Sequence, residues 1–289
     1  MSIPYNAAMR VFVSVDMEGA TGVCHRDHLV PGGQDYERAR GWLTGDVNAA
    51  VEGAVLAGAT EVVVADGHGT MRNIVLDDLH EDARLLTGPA QARNRPHGQL
   101  AALEGARYDA AMLIGYHSRA GTPGGLLSHT WVGALVHEIR LNGQPAGEAL
   151  LNAALLGHYG IPVVFASGAD DFCREVRADL GEDLEVVEVK QALGPSAVVT
   201  LAPKRAAALI RAGAERGLRA DRQPLRIDLP VDIDLEYHRT DMRERGLELG
   251  GEPLGPRGIR FSGGDLVDVQ KRVWAALAHT LREESSFLK

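Results

Sequence analysis

Four short runs in this chain are apolar almost without interruption, and each stops at a polar turn. They are residues 11–15 (VFVSV) before Asp16, 61–65 (EVVVA) before Asp66-Gly67-His68, 110–114 (AAMLI) before Gly115-Tyr116-His117, and 161–166 (IPVVFA) before Ser167. A strand with one wet face alternates apolar and polar residues; these do not, so both faces are covered. Helical stretches stand between them. Residues 35–58 lack proline, are rich in Ala, Val and Leu, and end at Gly58, a glycine stop, although internal glycines weaken the pattern. Residues 97–106 and 148–159 read as further helices. Strand and helix in alternation predict an α/β fold, a mainly parallel sheet with helices on both faces. Ligands of such sheets bind beyond the carboxyl ends of the strands, where the polar residues of this chain collect.

The pattern changes after about residue 185. Residues 184–189 (LEVVEV) and 197–201 (AVVTL) read as half-exposed strands, and 202–219 as a helix with Pro203 near its start. Residues 225–237 alternate as a strand with one wet face should, with Pro230 marking an edge or a break. Residues 259–262 form a short strand candidate and 265–281 a last helix. The expected division is a catalytic α/β domain over 1–185, to which 266–289 returns, and a smaller α+β domain over 186–265.

With 289 residues, 45% of them hydrophobic, the chain can bury a sizeable core. A formal net charge of −9 repels phosphate backbones and anionic lipid, which argues against nucleic acid and membrane partners. The two cysteines, Cys24 and Cys173, have no CxxC spacing and read as reduced thiols. The N-terminal residues lack an apolar signal core, and no run approaches the roughly 18 residues that span a bilayer, so a cytoplasmic location is expected.

Asp16 and Glu18 lie two apart at the end of the first strand. In extended chain such a pair points to one side, where two carboxylates repel unless a proton or cation separates them. His68 sits between two glycines, which core packing explains poorly, and Asp66 is placed to orient its ring. His117 follows the third strand, His129 lies in the loop beyond it, and Glu148 opens the helix before the fourth strand, a place where an acid also serves the helix dipole. Singly, each has an ordinary structural explanation. Jointly, three parallel strands deliver Asp16, Glu18, His68 and His117 to one sheet edge, with Glu148 and His129 within reach. Mixed imidazole and carboxylate donors suit zinc, manganese or iron better than calcium or magnesium. A carboxylate can bridge two metals about 3.5–4 Å apart, and such pairs activate water. His25, Asp27 and His28 read as surface, as does His238. There is no GxSxG elbow and no HExxH pair.

The pieces SVDMEG (14–19), YERAR (36–40), ADGH (65–68), GYHSRAGTPGGLLSHT (115–130) and GEALLNAALLGHYGIPVVFASGADD (147–171) resemble, in order and across most of the chain, the D-aminopeptidases of the DppA type, a family of zinc metallopeptidases. The stretch 189–203 follows the family by pattern. The resemblance implies two zinc ions per subunit. Asp16 would bridge them, Glu18 and His68 would complete one position, His117 and Glu148 the other, and His129 would be the catalytic histidine. It further implies release of an N-terminal residue, often a D-amino acid, from short peptides or amino-acid amides. It also implies a homo-oligomer, a decamer of two stacked pentameric rings. Gly124-Gly125 departs from the family's loop before His129, which leaves the choice between D and L residues open.

Two rival functions stand beside this one. A two-metal amidase or phosphoesterase would use the same activated water, although few basic residues surround the motifs and Arg119 alone is placed to meet a phosphate. A metal-stabilised, non-catalytic peptide-binding module would hold its metal in a saturated site, where an enzyme keeps one position open.

Overall fold

The computed structural model describes residues 9–88, 98–101, 103 and 105–283. Its elements run β1 (Met9–Val15), α1 (Tyr36–Ala57), β2 (Ala59–Asp66), β3 (Ala83–Leu86), β4 (Ala110–Tyr116), β5 (Val136–Leu141), β6 (Gln144–Pro145), α2 (Glu148–His158), β7 (Val163–Ala169), α3 (Asp170–Leu180), β8 (Glu185–Gly194), β9 (Ala197–Thr200), α4 (Pro203–Arg219), β10 (Val231–Tyr237), α5 (Thr240–Leu247), β11 (Glu252–Leu254), β12 (Gly258–Gly263) and α6 (Leu266–Glu283). Seven strands form one sheet in the order β3-β2-β1-β4-β7-β8-β9. Its pairs are parallel except β8 with β9. Five strands form a second, antiparallel sheet in the order β11-β12-β10-β5-β6.

The uninterrupted apolar strands are covered on both faces. Val11, Val13 and Val15 of β1 join a core with α1 and α4, while Phe12 joins a second core with α2 and α3. Helix α2 lies between that second core and the core of the smaller sheet. All of its residues from Glu148 to Leu156 are buried, as an all-round apolar helix requires. Gly58 ends α1 in the left-handed conformation (φ 101°), its N–H returning to Ala54 and Val55. The glycine that weakens α1 as a sequence pattern serves its packing: a Cβ at Gly53 would stand 2.4 Å from the Arg211 carbonyl oxygen of α4.

Several elements differ from expectation. Residues 184–189 and 197–201 form β8 and β9 of the large sheet, not strands of the smaller unit. Their alternation reflects the sheet's edge, where one face is only partly covered. The last helix packs mainly on the smaller sheet, through Leu266, Val269, Val273, Ala276 and Leu277, while Val267 also meets the core beneath the larger one. The smaller sheet recruits β5 and β6 from the middle of the chain. Of residues 225–237 only Val231–Tyr237 is strand; Pro230 marks a break, and β10 is central, not an edge. Where a helix was expected over 97–106, the described residues hold one 3-10 turn, Gly98–Leu100; residues 97, 102 and 104 lie outside the described set. The leader reading of residues 1–8 lies outside it too. No helix among the described residues is long and apolar enough to cross a membrane.

Candidate metal centre

Strands β1 and β4 are neighbours, but the chain leaves β1 toward β2 on one side and β4 toward β7 on the other. Their carboxyl ends therefore open a crevice at the point where the winding reverses, the usual ligand position in such sheets. Backbone meets backbone there. Asp16 N–H donates to Ile114 O at 2.8 Å, and Gly19 N–H to Gly115 O at 2.8 Å. Only glycine fits at 19, since a Cβ would stand 1.7 Å from the Tyr116 carbonyl oxygen.

All six residues singled out from the sequence converge on this crevice. Asp16 directs Oδ1 toward His68 Nδ1 at 3.4 Å and Oδ2 toward His117 Nε2 at 3.3 Å. Glu18 Oε2 lies 3.0 Å from His68 Nδ1, and Glu148 Oε1 lies 3.6 Å from His117 Nε2. His129 Nε2 faces both acids, 3.9 Å from Glu18 Oε1 and 3.8 Å from Glu148 Oε1. Three overlapping trios result, Asp16/Glu18/His68, Asp16/His117/Glu148 and Glu18/His117/His129, each with donor atoms within 4.8 Å of one another. Asp16, Glu18, His117 and Glu148 are buried.

Hydrogen bonds fix which ring nitrogen faces the crevice with a lone pair. Carbonyl oxygens only accept, so the nitrogen bonded to one carries the hydrogen. His68 gives Nε2–H to Leu29 O (3.0 Å), His117 gives Nδ1–H to Ser118 O (2.9 Å), and His129 gives Nδ1–H to Leu127 O (2.8 Å). In the neutral rings the opposite nitrogens, His68 Nδ1, His117 Nε2 and His129 Nε2, aim lone pairs at carboxylate oxygens. Lone pair against carboxylate is repulsive unless a cation or protons stand between them. Glu18 Oε2 and His117 Nε2 are buried with no hydrogen-bond partner. Donor chemistry, orphaned atoms and the bonded back side of each ring all fit a divalent metal of the zinc type.

The electrostatics agree. Burial opposes charge at Glu18, His68 and His117. Even so, the pull of the Glu18 and Asp16 carboxylates raises His68 well above the ordinary imidazole range. Asp16 and Glu148 raise His117 likewise, and the imidazoles hold the Glu18 carboxyl well below the usual carboxylate range. A pocket that pulls protons onto two buried imidazoles attracts cations generally, and protons and metal compete for the same lone pairs.

The surrounding shell was mostly invisible in the sequence. Glu148 is held on both oxygens, by Trp131 N–H (2.7 Å) and by Gln99 Nε2 (2.7 Å). Gln99 Oε1 accepts from Asn152 Nδ2 (2.5 Å), which also donates to Tyr116 OH (2.8 Å), and that hydroxyl meets Ser14 Oγ (2.7 Å). Asp66 does not orient the His68 ring; the Leu29 carbonyl does that. Asp66 instead accepts from the N–H groups of Asn73 and Ile74, and so shapes the loop after His68. Asp171 holds the next loop through Ser118 Oγ (2.9 Å) and Leu126 N–H (2.8 Å). Lys190 is buried beneath the Glu18 loop. Burial draws its ammonium down to about 7, while its three carbonyl acceptors call for the charged form. In a strand read as half-exposed, a lysine among other polar residues gave no signal that it would be buried. Arg119 is paired with Glu175 at 2.9 Å and is not free for a phosphate. His25, Asp27 and His238 are exposed, and both cysteines are free.

Comparison with known proteins agrees with this geometry. The model of a peptidase family described as D-aminopeptidase, Peptidase_M55, matches residues 9–275. A D-aminopeptidase of Bacillus subtilis (strain 168) is 34% identical over 202 residues, 70% of this chain and 71% of that protein. The solved structure of the Zn-dependent D-aminopeptidase DppA from Bacillus subtilis, a self-compartmentalizing protease, superposes with a TM-score of 0.88 at 28% identity, over 96% of this chain and 100% of the other.

Proposed function

The chain belongs to the D-aminopeptidase family and is a metallo-aminopeptidase, and on that premise we propose that it binds two zinc ions per subunit and cleaves the N-terminal amide of short peptides or amino-acid amides, with preference for a D-residue. The observation that carries this reading is Asp16, whose two oxygens face two different trios. Asp16 would bridge, Glu18 and His68 would complete one position, and His117 and Glu148 would complete the other.

Zinc, when bound, supplies Lewis acidity, which acidifies a water near neutral pH and polarises the scissile carbonyl. The side chains do the rest. His129 Nε2, which carries the lone pair of the neutral ring because Nδ1–H is given to Leu127 O, accepts the proton of the attacking water as the new C–O bond forms. The imidazolium then gives that proton to the departing amine as the C–N bond breaks. Asp16, Glu18 and Glu148 offset the metal charge and attract the substrate ammonium. The His129 side chain is 26% exposed against 2% for His117, so it is the histidine that a substrate can reach.

The solved relative is a self-compartmentalizing protease, and we place this chain in a similar homo-oligomer, a decamer of two pentameric rings, in the cytoplasm. Light scattering on the purified protein tests the assembly. The decisive experiment for function is hydrolysis of D-Ala and L-Ala p-nitroanilide by protein as purified, stripped with chelator and reloaded with zinc. Activity lost on stripping and restored by two equivalents, faster on the D-substrate, is the expected result. Zinc-loaded protein that turns over neither substrate rejects the reading.

A further inference from the structure

We propose that Lys190 is a positioning residue for the metal centre, holding the Glu18 carboxylate in place through the backbone of the loop that carries it. The inference rests on the two-zinc reading. Lys190 stands in the middle of β8, paired with Ala169 at the carboxyl end of β7, and only 3% of it is exposed. An ammonium has three N–H donors, and the structure gives Nζ three acceptors: Glu18 O at 2.6 Å, Ala20 O at 2.7 Å and Val23 O at 2.5 Å. A neutral amine would turn a lone pair on one of these carbonyls, so the three-point grip belongs to the charged form. Burying a charge is costly, and a grip on carbonyls alone leaves that cost partly unmet.

A second observation shows what the grip serves. The other carboxylates of the centre are held directly: Glu148 by Gln99 and Trp131, Asp16 by Met17 N–H at 2.9 Å. Among the described residues the Glu18 carboxylate meets only ring nitrogens of the centre itself, His68 Nδ1 at 3.0 Å and His129 Nε2 at 3.9 Å, and no group outside the centre bonds it. Its place is therefore set by its backbone. Contacts from elsewhere in the fold that hold that loop include Gly19 N–H on Gly115 O, Asp46 on Thr21 N–H and Oγ1 (2.8 Å each), Gly22 N–H on Thr200 Oγ1 (3.1 Å) and Lys190. Of these, Lys190 alone takes the carbonyl of Glu18 itself. Glu148 is thus fixed from its own side-chain end and Glu18 from behind. Loss of Lys190 loosens the Glu18/His68 position while leaving the His117/Glu148 position supported.

Zinc titration against a chromophoric chelator, with visible spectra of the cobalt-substituted protein, tests this in wild type, Lys190→Met and Lys190→Arg. In Lys190→Met, one equivalent should weaken tenfold or more while the other keeps wild-type affinity. In Lys190→Arg, which keeps the charge but spreads its donors in a plane, the same equivalent should weaken by less. A residue that only stabilised the fold would lower Tm without singling out one equivalent. Two unchanged equivalents in either folded variant, or equal weakening of both, overturns the proposal. Should Lys190→Met not fold, the arginine variant decides alone by the same criterion. A wild-type protein that takes up fewer than two zinc ions refutes the two-zinc reading instead, before any variant is compared.

Discussion

The rings of His117 and His129 lie stacked, with centroids 4.2 Å apart and planes 11° from parallel. Each spends Nδ1–H on a nearby backbone carbonyl, so both Nε2 atoms face the crevice, where they share Glu148. The equivalence ends at burial and distance, for His117 is enclosed and nearer to Asp16 and Glu148. His129→Ala should therefore keep both zinc ions and lose about 10²–10⁴ in kcat, the usual worth of a positioned acid–base group. Zinc content by elemental analysis, read beside kcat, checks this. Undiminished turnover would remove His129 from the mechanism.

Asp16→Asn tests the bridge. The amide keeps the shape but trades one acceptor oxygen for an NH2 that cannot ligate a cation. Since each oxygen serves a different trio, the variant should bind no more than one equivalent of zinc and show no measurable turnover. A variant that is loaded with two equivalents and active would show that the positions do not share Asp16.

Much of this centre was legible because its residues follow strands. Apolar runs fixed the parallel sheet, and a parallel sheet sends the residue after each strand to one edge, so Asp16, Glu18, His68 and His117 could be gathered without coordinates. Glu148 and His129 needed the family motifs as well. The shell around them was not legible. Ring orientation depends on backbone carbonyls of Leu29, Ser118 and Leu127, and a carbonyl is present at every residue, so no letter marks it. Gln99 and Asn152 reach Glu148 through contacts 49 and 53 residues distant in sequence, and polar residues at such spacing carry no local signature. The smaller sheet was misread for a related reason. In β5, Val136, Ile139 and Leu141 are buried with an irregular spacing that hides its strand pattern, and its partner β10 comes some ninety residues later.

Gly19→Ala tests the close approach of β1 and β4. Its new methyl would sit 1.7 Å from the Tyr116 carbonyl oxygen, an atom of the backbone that cannot turn aside. The strand ends must separate, and Asp16 and Glu18 move away from His117. Overpacking of this kind costs about 1–3 kcal/mol or more, so Tm should fall by several degrees and zinc affinity with it. Gly41→Ala, where a Cβ meets nothing within 4 Å in the same chain, is the control and should leave zinc affinity unchanged and raise Tm slightly, because alanine favours the interior of α1. Equal behaviour of the two variants would show that the strand ends tolerate the spread.

Asp179 gives the protein a pH dependence unrelated to zinc. Burial, reinforced by Glu175, pushes its carboxyl from 3.8 up to about 6 in the folded protein. Between those values the folded state holds a proton that the unfolded state has released, so stability falls as pH rises from about 4 to about 6 and then levels off. Asp179→Asn removes this loss and keeps an oxygen for Gln144 Nε2, which donates to Asp179 at 3.0 Å. The variant should match wild type near pH 4 and exceed it in Tm at pH 7. The informative quantity is the difference between the two proteins at each pH, because zinc lost to protons on the acidic side is lost by both. A difference that stays flat from pH 4 to 8, or that shrinks as pH rises, would show that Asp179 is charged in the folded protein throughout.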